Sequence, residues 1–73
     1  MYYEINVSRL GRHYFATAER SITTKRDAQD MYWHFKRLFS EDFGYQITVT
    51  ECVNSGKDVT LDMERPLEGN QGL

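Results

Sequence analysis

Seventy-three residues make room for one small domain, and a chain of this size buries only about 60% of the surface it exposes when unfolded. One cysteine and a net charge of −2 exclude an internal disulfide framework and the strongly basic balance of most DNA-binding domains. No apolar run approaches the ~18 residues that span a bilayer, the start MYYEINVSRL lacks a signal-peptide pattern, and a cytoplasmic, reducing location is expected.

The small net charge conceals an asymmetry. Residues 1–40 carry seven Lys and Arg against four acids, whereas residues 41–73 carry two against seven. The basic half is too weakly charged to point to nucleic acid by itself, and the acidic half could face a basic partner.

Tyr3, Ile5 and Val7 alternate with Glu4, Asn6 and Ser8, the period-2 pattern of a half-buried strand. A turn at Gly11-Arg12 and a returning strand from His13 to Glu19 complete a hairpin. A two-residue loop there pairs Val7 with Ala16, Ile5 with Ala18 and Ser8 with Phe15, leaving His13, Phe15, Thr17 and Glu19 on the outer face.

Thr24 to Phe39 reads as the single helix, with Thr24 as N-cap and Asp27 three residues on. Ala28, Met31, Tyr32, Phe35, Leu38 and Phe39 fall at i, i+3, i+4, i+7, i+10 and i+11, one apolar stripe. The helix ends before Phe43-Gly44, where the glycine can take a positive φ. Tyr45, Ile47 and Val49 alternate in a third strand ending near Val53. After a turn at 54–57, Val59, Leu61 and Met63 suggest a short fourth strand.

These elements predict an α+β fold, ββαβ(β), with one helix on one face of a small antiparallel sheet of order 2-1-3-4. The domain is expected over 1–63, with 64–73 a flexible tail.

Trp33 does not belong to the stripe. At 100° per residue it projects about 160° from Phe35, among Arg26, Gln29, Asp30, Lys36 and Arg37. An aromatic ringed by charge is the composition of an interaction hot spot, and Arg37 at i+4 could stack on the indole. The competing explanation is cover by the C-terminal segment or by a second copy of the chain. The six helix residues are the expected partner-binding set.

Other constellations are poorer. The outer sheet face has aromatics but almost no Arg or Lys, so base stacking lacks its phosphate contacts. His13 and Cys52 are separated by a strand, roughly 10 Å, beyond dyad reach. Asp30 and His34 would supply only two metal ligands. Glu4 facing Glu19 could pair as carboxylates, but a solvated pair is the simpler account. No glycine-rich phosphate loop or nucleophile motif occurs. No catalytic set, cofactor or metal is therefore expected.

The MYYEINV opening strand, the tight GRHYFATA hairpin, one helix and the closing strand YQITVTEC resemble the small proteins encoded by phages and mobile elements, the anti-CRISPR class in particular. The resemblance covers residues 2–53 at the level of architecture and carries no residue roles. It implies a non-enzymatic inhibitor that binds a host protein complex and blocks it by occlusion. The net-basic first half departs from members that mimic DNA. A nucleic-acid-binding regulator and a structural homodimer are the alternative expectations.

Overall fold

The computed structural model describes residues 1–65. The chain runs β1 (Tyr2–Arg9), β2 (Arg12–Ala16), α1 (Lys25–Leu38), a 3-10 turn (Glu41–Phe43), β3 (Tyr45–Cys52), β4 (Gly56–Asp58) and a 3-10 helix (Thr60–Glu64). The strands form one antiparallel sheet in the order β2-β1-β3-β4, the expected small α+β architecture.

β1 and β3 carry it. They pair without interruption from Tyr2↔Cys52 to Arg9↔Tyr45. Their alternation sends Tyr3, Ile5, Val7, Ile47 and Val49 towards α1, each at most 7% exposed. Against them α1 buries Ala28 and Tyr32 and half-buries Phe35 and Phe39. The helix begins where the Thr24 side chain accepts a hydrogen bond from Asp27 N (3.1 Å). The free N–H groups of the first turn make that position favourable for a hydroxyl cap and a nearby acid. Gly44, at φ 87°, closes the following 3-10 turn in left-handed backbone, a conformation that glycine adopts without a Cβ penalty.

Three expectations need correction. First, the hairpin turn is Leu10-Gly11, not Gly11-Arg12. Both residues have positive φ, 51° and 83°, as a two-residue turn matching the strand twist requires. Arg9 then faces Arg12, but beyond Ser8↔His13 the register slips and Val7 meets Phe15. The extra residue is Tyr14, a β-bulge. The slip reverses the expected facing of Phe15, whose ring now meets Phe35 and Phe39 edge-on at 5.8 and 5.6 Å.

Second, β2 stops at Ala16. Thr17 closes onto β1 through its backbone N–H to Ile5 O and its Oγ1 from Ile5 N, both 3.0 Å. Glu19 lies beyond the strand and pairs loosely with Arg20 (3.8 Å). Glu4 and Glu19 are therefore not opposed carboxylates.

Third, the fourth strand is Gly56–Asp58, and residues 59–63 do not alternate as a strand. Thr60–Glu64 is a 3-10 helix that seats Val59 (6%) and Met63 (0%) in the core and leaves Leu61 76% exposed. Asp58 starts it: its carboxylate accepts from Thr60 N (2.9 Å) and Thr60 Oγ1 (2.7 Å). Thr60 Oγ1 in turn accepts from Val49 N (2.9 Å), tying the element to β3.

Glu64 and Arg65, the start of the expected tail, lie against α1. The Tyr32 hydroxyl donates to Glu64 (2.6 Å), and the Gln29 amide donates to Met63 O (2.8 Å) and to Arg65 O. The remaining tail residues, 66–73, lie outside the described residues.

Candidate functional site on helix α1

The outward side of α1 is built by periodicity alone. Arg26, Asp30, Trp33 and Arg37 are spaced i, i+4, i+7 and i+11, a single line along the side opposite the sheet. All four are exposed, Trp33 to 44%. The indole leans its edge on the neighbouring Tyr32 ring, centroids 5.4 Å apart, and projects from there.

The other two expected residues, Gln29 and Lys36, are engaged within the fold. Gln29 holds the end of the C-terminal 3-10 helix, as described. The Lys36 ammonium lies over the Tyr32 ring (5.8 Å) and reaches Glu41 (3.7 Å). Among the described residues the cations placed over aromatic rings are Lys36 and Arg9, the latter 5.3 Å from the Tyr45 centroid. The expected stacking of Arg37 on Trp33 is not formed. Arg37 and Asp30 also line the other side of the helix, with Met31 and His34.

That other side is what the sequence reading missed. The six-residue stripe is wider than the sheet beneath it. Met31 and Leu38, expected in the core, are 37% and 61% exposed. On β2, Tyr14 and Phe15 are 52% and 37% exposed, with ring contacts to Tyr45 and to Phe35 and Phe39. A groove of about 520 Å³ runs along this side of the helix, lined by Ile22, Asp27, Asp30, Met31, His34 and Arg37 with Ser21. The signal in the sequence was the shortness of the strand available to cover this flank, with Ala16 and Ala18 following Phe15.

The outer face of the sheet offers less. It presents Glu4, Asn6 and Ser8 from β1 and Gln46, Thr48 and Thr50 from β3, with His13 beside Ser8. Phe15 has left this face, so base stacking loses its central aromatic. Tyr2 faces Cys52 across the strands, and the neighbouring Cys52 thiol raises the Tyr2 hydroxyl above its ordinary pKa. Burial, followed by the Glu64 contact, pushes the Tyr32 hydroxyl above its usual range. Both shifts favour the neutral phenol rather than a base. Among the described residues no group of three His, Cys, Asp or Glu is placed to hold a metal ion, and no helix is long and apolar enough to cross a membrane.

Fold and site together define a class, a small α+β domain with an exposed aromatic on a charged helix face. Comparison with known proteins finds no matching family model, no matching curated protein and no matching solved structure.

Proposed function

We propose that this domain is a non-enzymatic protein-binding module that inhibits a host protein complex by covering its working surface, in the manner of the anti-CRISPR-type inhibitors its architecture resembles. The observation that carries the reading is Trp33, 44% exposed in the line Arg26, Asp30, Trp33 and Arg37. An indole supplies a large rigid contact area, and flanking charges fix orientation and speed encounter. The side chains around it are held from below. Tyr32 and Gln29 are held by hydrogen bonds to the C-terminal 3-10 helix, which fixes the base on which Trp33 rests and lowers the ordering cost at binding. A cytoplasmic site of action is in keeping with the lone, half-buried Cys52.

Trp33→Ala tests the reading. Capture of a partner from host lysate should weaken by at least about 30-fold, the loss of one anchor worth ~2 kcal/mol. The fold should survive: with just over half of the ring covered, truncation costs about 2 kcal/mol after discounting for a compact unfolded chain, a melting-temperature loss of roughly 8–16 °C. Undiminished capture, or a collapse of the fold, would refute the assignment of Trp33 as an anchor.

A further inference from the structure

We propose that a second copy of this chain docks along the β2-side flank of α1. The flank shares Asp30 and Arg37 with the Trp33 line but not Trp33 itself, which lies about 100° around the helix from the centre of this flank.

In chain order the flank reads Asp27, Asp30, Met31, His34, Arg37 and Leu38. It has a charge polarity, acidic near the helix start and basic near its end, over about 15 Å. Among the described residues the ion pairs are Glu19–Arg20, Lys36–Glu41 and Asp62–Arg65. Asp27, Asp30 and Arg37 thus form no ion pair with any described residue. Their order suits a two-fold axis. Two flanks laid antiparallel about a point between Met31 and His34 bring Arg37 against the partner's Asp27 and His34 against the partner's Asp30. Isologous pairing of this kind satisfies every contact twice.

Shape follows the same symmetry. Leu38, 61% exposed at the basic end, is an apolar knob. The groove runs from Ser21, Ile22 and Asp27 to His34 and Arg37, and its apolar floor, Ile22 and Met31, is a socket whose Ile22 end lies beside the helix start. The operation that matches the charges carries Leu38 of each copy to the socket of the other. A different kind of partner would not need knob and socket, or acid and base, related by one rotation on one face.

Mass measurements on the full chain, by light scattering or sedimentation up to about 1 mM, test this. The wild type should approach twice 8.6 kDa as concentration rises. Leu38→Asp should hold the mass at that of the monomer, and its exposure means the isolated fold tolerates the change. Arg37→Asp and Asp27→Arg should each weaken association about tenfold through doubled like-charge contacts. Mixing these two variants should restore it, because each then meets its opposite. Asp27 also lies in the first helical turn, so melting temperatures are recorded for each variant; recovery on mixing has no source in the folding of either. A wild type that stays monomeric, a dimer indifferent to Leu38→Asp, or a mixture that associates no better than its components overturns the proposal. Partner capture sensitive to Trp33→Ala can hold or fail separately.

Discussion

Phe15 decides between two hairpins. If the strands paired without a bulge, its ring would face solvent beside Ser8, and truncation would cost a few tenths of a kcal/mol. In the bulged register it meets Phe35 and Phe39 at 5.8 and 5.6 Å and is 37% exposed. Roughly 60% of a side chain of ~200 Å² is then covered. At about 25 cal/mol per Å² that is ~3 kcal/mol, and discounting for compaction of the unfolded chain leaves about 2 kcal/mol. Phe15→Ala should therefore lower the melting temperature by roughly 8–16 °C, at the 4–8 °C per kcal/mol expected for a domain of this size. Urea titration should show the same loss as a lower midpoint with unchanged slope. His13→Ala is the control, since His13 faces Ser8 and is exposed; it should cost less than ~0.5 kcal/mol. If the two costs came out reversed, with Phe15 silent and His13 costly, the bulge at Tyr14 and the argument built on it would be wrong.

The C-terminal element gives a second comparison. Met63→Ala should cost about 2–5 kcal/mol, because the side chain is fully buried, while Leu61→Ala, at 76% exposure, should be nearly neutral; equal costs would restore a strand there. Acid should loosen the same element. The Asp58 carboxyl is held below its ordinary 3.8 by the Thr60 hydroxyl and backbone N–H, so its contribution is present above that pH and is lost as pH falls further. Asp58→Asn should flatten this part of the stability profile. At the alkaline end Tyr32 is raised, so its contribution holds below its unfolded value of 10.0 and is lost as pH rises through the folded value. Thermal melts of Tyr32→Phe, about 0.5–1.5 kcal/mol less stable at neutral pH, should lack that alkaline component.

Much of the scaffold was legible from local pattern because its parts agree with one another. Tyr3, Ile5 and Val7 pair with Glu51, Val49 and Ile47 with no irregularity, so period-2 alternation alone identified the central strands. Thr24 and Gly44 each answer a local need, a cap and a positive φ, and both sit where the sequence placed such features. The hairpin register was not legible, because one bulged residue changes the parity of every position after it. Gly11 fits either place in a two-residue turn, and the choice of Leu10-Gly11 puts a leucine in left-handed backbone, against the usual preference. Residues 59–63 misled for a different reason. Val59 and Met63 are four apart, a spacing that a strand and a helical turn share, and Leu61 between them tipped the pattern to a strand. The Asp58 and Thr60 side chains, which start the 3-10 helix, were the better guide.

The proposed surface was half legible for a reason that lies in the width of the sheet. Angular position on a helix tells which side an apolar residue occupies, and it correctly set Trp33 opposite Phe35. It does not tell how much partner surface lies on that side. A helix about 10 Å across covers roughly two strands spaced 4.8 Å apart. Here those are β1 and β3. On the β4 side Val59 and Met63 fill the margin; on the β2 side the strand is five residues long and exposed throughout. Met31 and Leu38 therefore fall outside the core although they obey its periodicity. An apolar stripe that overruns its sheet on one side only, and carries opposed charges at its two ends, is a surface with a direction. That asymmetry, rather than the exposure of any single residue, is what favours a second copy of the chain as the cover for this side.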